Sequence, residues 1–255
     1  MLETAPHSKE VSDADLQKIW GRIVLKPEVK AELLDMIRRF NRGDSAAPTG
    51  LLLLGPPGTG KSEIARRLLG SANCHGMRLL AGEFLRDSRL VLEGAKAHGR
   101  CVIIIEDCES AFDRLRGTDS DAYREQWLRA FLADWDGIRL QDRQIWVVVV
   151  TSDRARMEEA ILARLGAAIE IGLPDATERL QILELEMEKL ERSPAVPPFV
   201  AELTSGMSGR FLAGIAREVC KLAFEPGATV TDALWRDVLT RPEWTRFRRE
   251  SPPSL

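Results

Sequence analysis

The sequence has little of what stabilises small secreted proteins or builds a zinc site. It has only four cysteines and three histidines among 255 residues. No two of the cysteines have the C-x-x-C spacing, and no histidines are paired. We therefore expect neither a disulfide framework nor a zinc site. Cys101 opens an apolar run, where a cysteine is expected to pack as a small hydrophobic side chain.

Long apolar runs and an excess of charge of one sign are also missing. No apolar stretch is long enough to span a bilayer, and residues 1–10 have no signal-like apolar centre. We therefore expect a cytoplasmic protein without a membrane segment. The formal net charge of −3 gives no overall attraction to nucleic acid or membranes. Only residues 241–249 are locally basic.

The chain does contain short apolar runs that are rich in branched residues. Most of them adjoin a helical pattern, and they lie at residues 51–54, 78–81, 101–105, 145–150 and 168–171. Such runs are typical of parallel strands that helices cover on both faces. We predict an α/β fold with a doubly wound parallel sheet of about five strands. A smaller helical domain is predicted after Pro174, where the strand patterns stop.

The most specific motif is the segment 55–62, which fits G-x-x-x-x-G-K-[ST]. It stands between the run at 51–54 and a helical pattern at 63–69, which is the strand–loop–helix context of a P-loop. Backbone N–H groups of such a loop surround phosphates, and the helix start adds a favourable dipole. We therefore predict binding of ATP with Mg²⁺, with Lys61 at the β- and γ-phosphates and Ser62 on the metal. The predicted nucleotide-binding residues are Gly55, Pro56, Pro57, Gly58, Thr59, Gly60, Lys61, Ser62 and Glu63.

Two adjacent carboxylates, Glu106 and Asp107, end the apolar run at 101–105. Carboxylates at the end of a buried strand are costly unless they meet a cation or water. A P-loop needs an acidic partner on a neighbouring strand, which holds Mg²⁺ and orients water. The alternative is an ordinary strand terminus, but the P-loop favours a magnesium site at Glu106.

With these motifs, the chain resembles the AAA family of ring ATPases over nearly its whole length. Further segments stand in the family's order and spacing, and they are residues 23–30, 135–137, 169–179 and 207–210. The resemblance implies ATP hydrolysis, a homo-oligomeric ring or spiral of about six or seven subunits, and a protein partner. It also implies a division into N-terminal helices and linker (1–49), a P-loop α/β domain (50–174), a helical lid (175–240) and a basic, Pro-rich tail (241–255).

The chain departs from the common AAA pattern in two features. In both it is similar to the mitochondrial Rieske-protein translocase family, which assembles the cytochrome bc complex. The third strand ends in Glu106-Asp107, where most AAA proteins have Asp-Glu. The stretch 84–95 is several residues too short for the aromatic-hydrophobic-Gly loop that threads polypeptide. The likeness implies movement or release of a folded partner, and we expect that family's membrane helix and extra N-terminal domain to be absent.

The resemblance assigns roles to the two carboxylates. It implies that Glu106 faces Mg²⁺ or its waters and that Asp107 polarises the attacking water. Because one methylene moves a carboxylate by about 1.5 Å, the swapped order makes slow hydrolysis an open alternative. Two coupled carboxylates also leave open which of them acts as the base.

Three further catalytic positions follow from the same resemblance. Ser152 takes the place of a polar sensor near the γ-phosphate, with an ordinary polar strand end as the alternative. Arg164 takes the place of an arginine finger on a neighbouring subunit's nucleotide, with a surface arginine as the alternative. Arg210 could reach the γ-phosphate in cis, or it could cap a loop carbonyl.

Two other functions remain open from the sequence. An ATP-dependent nucleic-acid factor would use the charged loop at 113–120 and the basic tail at 241–249. An ATP-gated assembly switch with slow or no turnover would account for the Glu106-Asp107 order and for Ser152.

Overall fold

A computed structural model describes residues 3–5, 10–108, 129, 132–133, 135–136, 144–190, 196–223 and 230–245. The charged loop predicted at 113–120 and the tail beyond residue 245 lie outside these residues. The chain divides into two compact units. The first falls within Met1–Gly21, Lys26–Gly55 and Lys61–Ile171, and the second within Arg22–Leu25, Pro56–Gly60 and Gly172–Leu255.

The five apolar runs supply five strands of a six-stranded sheet in the first unit, whose order is β1-β3-β4-β5-β2-β6. Its strands are β1 (Glu3–Ala5), β2 (Gly50–Leu54), β3 (His75–Leu80), β4 (Cys101–Glu106), β5 (Ile145–Thr151) and β6 (Ala168–Glu170). All except β1 pair in parallel. Strands β4 and β5 are buried at every position, as expected where helices cover both faces of a sheet. The predicted parallel α/β sheet is confirmed.

Two local predictions on the sheet were wrong. No strand was predicted before residue 50, yet Glu3–Ala5 form β1, which pairs antiparallel with β3 at the edge of the sheet. The second apolar run was placed at 78–81, whereas β3 begins at His75 and a helix begins at Ala81. Parallel pairing with β4 recruits His75, Gly76 and Met77 into the strand, although His75 and Gly76 break the apolar pattern.

Helices of the first unit follow the apolar periodicity. They are α1 (Asp13–Gly21), α2 (Pro27–Arg42), α3 (Lys61–Ser71), α4 (Ala81–Ala97) and α5 (Glu159–Leu165), with a 3₁₀ turn at Arg154–Arg156. Proline stands in the first turn of α2, and the left-handed Gly43 ends it by donating to the carbonyl of Phe40. Helix α3 buries Ile64, Ala65 and Leu68 against the core.

Strand β3 ends at Leu80, and helix α4 begins at the next residue, Ala81. Glu83 caps the helix start, because its carboxylate accepts the Leu80 N–H at 3.1 Å. The helix continues to Ala97 with one break in its backbone, at Asp87 (φ −131°, ψ 33°). The stretch 84–95 therefore has no inserted loop, as its length predicted.

The second unit is helical in its described part. Its helices are α6 (Ala176–Lys189), α7 (Phe199–Leu203), α8 (Gly209–Leu222), α9 (Asp232–Thr240) and α10 (Pro242–Thr245). Asp175 is the N-cap of α6, since its carboxylate accepts the Glu178 N–H at 2.9 Å, and the Asp175 N–H donates to the Glu178 carboxylate at 2.8 Å. The core includes Leu183, Met187, Leu212, Ile215, Val219 and Trp235.

Helix α10 lies at the start of the stretch predicted as a tail, so that prediction was wrong for residues 242–245. Trp244 packs on α8 so closely that a Cβ on Gly214 would lie 2.9 Å from its ring. Arg241 is also engaged within the unit, in ion pairs with Glu218 and Asp237, both at 2.8 Å. In the described residues, no helix is both long and apolar enough to cross a membrane.

Candidate nucleotide site

The P-loop joins the end of β2 to the start of α3, and its first residue has a strict steric requirement. Gly55 has φ 146°, and a Cβ on it would lie 2.0 Å from the Ile171 carbonyl oxygen. Ile171 is held in place because its N–H donates to the Leu54 carbonyl at 2.7 Å. Only glycine fits at this turn.

The middle of the loop packs against the start of α8 within the second unit. The Arg210 N–H donates to the Gly58 carbonyl at 3.1 Å. Gly58 has φ 81°, and a Cβ on it would lie 2.6 Å from Ser208 Oγ. That hydroxyl is buried and has no hydrogen-bond partner in the structure. A side chain at Gly58 would therefore collide with the start of α8.

The last residues of the motif stand at the start of α3. Lys61 is buried, and its Nζ donates to the Gly55 carbonyl at 2.6 Å. Ser62 lies in the first turn of α3. Glu63 pairs with Arg66 and Arg67 of the same helix, both at 2.9 Å. These ion pairs occupy the Glu63 carboxylate, so its predicted contact with nucleotide has no geometric support of its own.

The parallel sheet brings the remaining polar strand ends of the first unit to one edge. Strand β5 lies between β2 and β4, with Leu54 opposite Thr151 and Ile105 opposite Val149. The carboxyl ends of parallel strands meet at the same edge of a sheet. This edge therefore holds Glu106, which ends β4, and the residues that follow the strands there, which are Gly55, Asp107 and Ser152. This edge is where ligands bind in open α/β sheets.

Glu106 is buried, and it is ion-paired with an arginine of the neighbouring strand. Arg78 Nε donates to Glu106 Oε2 at 2.8 Å, and Arg78 Nη2 contacts the same oxygen. Glu106 Oε1 is buried and has no hydrogen-bond partner in the structure. An orphaned buried carboxylate oxygen is costly, and a magnesium ion or its water is a ligand that would satisfy it.

Asp107 has a left-handed backbone (φ 58°), and it is the one non-glycine residue with positive φ in the described part of the chain. Its side chain is exposed. A left-handed non-glycine residue costs roughly 1–2 kcal/mol, although aspartate tolerates this region better than most residues. Strain of this kind often accompanies functional sites.

Ser152 follows β5 at the bend after Thr151 and is half-buried. The buried Thr151 hydroxyl lies 3.3 Å from both the N–H and the carbonyl oxygen of Asp153. These contacts fix the chain direction just beyond Ser152. The sensor role of Ser152 stays a prediction.

Arg164 lies in the last turn of α5 and is held by an aspartate of the same chain. Its Nε and Nη2 donate to Asp136 Oδ1 and Oδ2 at 2.9 and 2.7 Å. A third bond runs from Nη1 to the Ala160 carbonyl at 3.1 Å. The hydrogen bonds to Asp136 raise the pKa of the Arg164 guanidinium above its ordinary value. The two-point pairing gives the guanidinium a fixed orientation.

Arg210 has an exposed side chain at the start of α8. Its backbone, rather than its side chain, bonds the P-loop at Gly58. Both roles considered for its guanidinium, a phosphate contact and a carbonyl cap, stay predictions.

The chain's residues fit ATP with Mg²⁺ in three respects. Gly55 and Gly58 have positive φ, and a Cβ at either would collide with a neighbouring residue, as the tight turn of a phosphate-binding loop requires. The Lys61 ammonium already lies on the loop, on a carbonyl that phosphate oxygens can replace. Glu106 Oε1 is a buried oxygen in need of a partner. Hard oxygen donors such as Ser62 Oγ and a carboxylate are the ligands that Mg²⁺ takes.

Sequence reasoning missed two residues of this site, Arg78 and Asp136. Arg78 was counted inside an apolar run, although one arginine in a strand flanked by Met77 and Leu79 was a signal for a buried counter-charge. Asp136 was noted only as part of the segment 135–137, which resembles the AAA family. Its pairing with Arg164 depends on tertiary structure, since 28 positions separate the two residues.

Comparison with known proteins identifies a family domain in this chain. Residues 51–173 match the ATPase family associated with various cellular activities (AAA). A similar relative is the ATP-dependent zinc metalloprotease FtsH 2 of Methylacidiphilum infernorum, 30% identical over 225 residues, which are 80% of this chain and 35% of the relative. The ATP-dependent zinc metalloprotease FtsH of Photobacterium profundum is 33% identical over 215 residues, 78% and 30% of the two chains.

The ATP-dependent zinc metalloprotease YME1L of Drosophila melanogaster is also similar, at 29% identity over 239 residues, 89% of this chain and 32% of that protein. The chain thus spans about a third of the length of the curated relatives it matches. The region matched by the family contains the P-loop, the Glu106-Asp107 pair and Arg164. The chain therefore contains an AAA ATPase domain, which spans residues 51–173.

Proposed function

We propose that the chain hydrolyses ATP within an assembly of its own copies and uses the cycle to remodel, move or release a protein partner. The observation that carries this proposal is the AAA domain whose P-loop and Glu106-Asp107 pair stand at one sheet edge. The copies are proposed to form a ring or spiral of about six or seven subunits. A cytoplasmic location stays a prediction.

Each residue of the site has a definite task in this proposal. The N–H groups of residues 58–61 bind phosphate oxygens, and Lys61 Nζ exchanges the Gly55 carbonyl for the β- and γ-phosphates. Ser62 Oγ and Glu106 hold Mg²⁺, which neutralises charge on the phosphates when bound. Asp107 accepts the proton of the attacking water. Arg164 of a neighbouring copy stabilises the transition-state charge.

The proposed work on a partner favours movement of a folded protein over threading of an extended chain. The support is that helix α4 runs through the stretch 84–95, where a threading loop would stand, with a single break at Asp87. This feature and the Glu106-Asp107 order are also what supports the finer likeness to the Rieske-protein translocase type. The curated relatives reported above support the AAA assignment but are named as FtsH-type proteins and YME1L.

Proteolysis is not part of this proposal. The relatives are named as zinc metalloproteases. The three histidines of this chain, His7, His75 and His98, have no H-E-x-x-H spacing. Among the described residues, no group of three or more His, Cys, Asp or Glu could hold a metal ion.

Phosphate release with Mg·ATP tests the proposal, with Lys61→Ala and Asp107→Asn as comparisons. We expect steady turnover by the unchanged chain, loss of nucleotide binding in Lys61→Ala, and binding without turnover in Asp107→Asn. Binding without turnover in the unchanged chain would support the ATP-gated switch instead. Turnover that DNA stimulates, with a steep dependence on salt, would support the nucleic-acid factor.

A further inference from the structure

A fork of two nitrogens on one oxygen defines how Glu106 is held. Arg78 Nε donates to Oε2 at 2.8 Å, and Nη2 contacts the same Oε2 atom. Oε1 takes no part in this contact and is buried without a hydrogen-bond partner. The two oxygens of the Glu106 carboxylate therefore differ in their partners: Oε2 accepts from the Arg78 guanidinium, and Oε1 accepts no hydrogen bond.

The sheet register explains why Arg78 reaches Glu106. Arg78 stands opposite Ile104, and Leu80 stands opposite Glu106, on the adjacent parallel strands β3 and β4. Positions two residues apart project from the same face of a sheet. Arg78 and Glu106 are thus diagonal neighbours on one face, a separation that a long side chain spans.

The exposure of the two side chains indicates which of them is fixed. The Glu106 side chain retains 10% of its accessible surface, and the Arg78 side chain retains 33%. A buried carboxylate needs a counter-charge, whereas a part-exposed guanidinium has water available. The pair is thus needed more by Glu106 than by Arg78. Arginine suits this role, because its planar fork orients a carboxylate as a lysine cannot.

We propose that Arg78 is a positioning residue of the ATPase site, which holds Glu106 Oε2 so that Oε1 is presented to the magnesium of bound Mg·ATP or to one of its waters. This inference rests on the proposed magnesium role of Glu106. Arg78 touches neither nucleotide nor metal in this account, and it acts only through the carboxylate.

Two substitutions at Arg78 and one matched control test the inference. Arg78→Met removes the charge and the fork, and Arg78→Lys keeps the charge but removes the fork. Arg89→Met removes an exposed ion pair with Glu93 on α4, 2.8 Å in length. For each protein, binding of a fluorescent ATP analogue is measured in EDTA and over a Mg²⁺ titration, together with the Mg²⁺ dependence of hydrolysis.

We expect Arg78→Met to raise the Mg²⁺ concentration for half-maximal binding and hydrolysis by about 10–100-fold, the range for residues that orient a metal ligand. For Arg78→Lys, we expect a Mg²⁺ concentration for half-maximal binding and hydrolysis between those of Arg78→Met and the unchanged chain. Affinity for the analogue in EDTA should stay unchanged in both, because Glu106 matters to nucleotide only through the metal. Arg89→Met should match the unchanged chain throughout.

Two results would overturn the inference. One is a Mg²⁺ requirement that is unchanged in both Arg78 variants. The other is a lowered requirement, which would make Arg78 a competitor of the cation. Arg78→Lys keeps a positive charge beside the buried carboxylate, so it decides the question if Arg78→Met does not fold. Lack of Mg²⁺-dependent hydrolysis by the unchanged chain would reject the proposed function, while the binding titration would still test Arg78.

Discussion

Arg164 and Asp136 form a two-point ion pair within one chain, with Nε to Oδ1 at 2.9 Å and Nη2 to Oδ2 at 2.7 Å. The pair fixes the direction of a guanidinium that is only partly buried, with 25% of the side chain exposed. In the proposed assembly this side chain meets the nucleotide of the next copy. The aspartate would then act as the support of the finger.

Arg164→Ala is expected to lower kcat by about 10³-fold or more, because a transition-state arginine is worth that much. Nucleotide affinity should change little, and stability should fall by no more than about 1 kcal/mol, since the pair is partly exposed. Steady-state hydrolysis, nucleotide binding and thermal unfolding measure the three effects.

Arg241→Ala is the matched control for Arg164→Ala. Arg241 likewise pairs through two nitrogens, with Glu218 and Asp237, and its side chain is 29% exposed. The Arg241→Ala variant should unfold at a temperature reduced as much as that of Arg164→Ala, but it should retain the kcat of the unchanged chain. Equal kcat in the two variants would remove Arg164 from the mechanism.

Asp107 has a steric cost in its left-handed backbone and a proposed chemical role in its carboxylate, and a glycine variant tests the two separately. Asp107→Gly should raise the free energy of unfolding by about 1 kcal/mol, because glycine adopts positive φ without the steric penalty. Hydrolysis should be lost, since the carboxylate is gone. Chemical denaturation and phosphate release measure the two effects. A Gly variant that is both destabilised and active would contradict this account of the strained carboxylate.

The residues of the site differ in how far the sequence alone could predict them. The P-loop and Glu106-Asp107 were predictable, because each is a continuous segment whose spacing and context carry the chemistry. The ion pairs Arg78–Glu106 and Arg164–Asp136 were not, since they depend on strand register and on contacts 28 positions apart.

The fold shows the same division between local and non-local information. Helices and buried strands followed periodicity, and the Asp175 N-cap was readable from the residue pattern. Strand β1 was missed because its three residues have no strand pattern of their own and form a strand by pairing with β3. The start of β3 was missed because pairing with β4 overrides the weak strand propensity of His75 and Gly76.

Gly55 and Gly58 should respond to alanine differently from a surface glycine. Gly55→Ala would place a Cβ 2.0 Å from the Ile171 carbonyl oxygen, a backbone atom that cannot move cheaply. We expect a loss of several kcal/mol of stability or a failure to fold. Gly58→Ala meets the movable Ser208 hydroxyl at 2.6 Å, so it should fold and lose nucleotide affinity.

Gly70→Ala is the control for both substitutions. Gly70 lies in α3, and a Cβ there would meet nothing within 4 Å. Alanine should stabilise the helix by about 0.5–1 kcal/mol and leave nucleotide binding unchanged. Thermal unfolding and titration with nucleotide distinguish the three variants. A stable Gly55→Ala variant would contradict the close approach of Gly55 to Ile171.

The cysteines should be inert in the folded protein. Cys74, Cys101, Cys108 and Cys220 are all buried, and none of them forms a disulfide. Burial raises the pKa of Cys74 to about 12 and that of Cys101 to about 12, so neither is a thiolate at about pH 8. We expect no fast reaction with a thiol reagent at that pH in native protein and reaction of all four thiols in guanidinium. Rapid native labelling of Cys101 would contradict the burial of β4.

Complementation between two inactive variants tests the shared ATPase site most directly. Asp107→Asn retains Arg164 but lacks the carboxylate, and Arg164→Ala retains the carboxylate but lacks the finger. Each should be inactive alone, and an equimolar mixture should recover roughly one quarter of the unchanged activity, because random assembly restores both groups at about one interface in four. No recovery in mixtures that sedimentation shows to be co-assembled would contradict a site completed by Arg164 of a second copy.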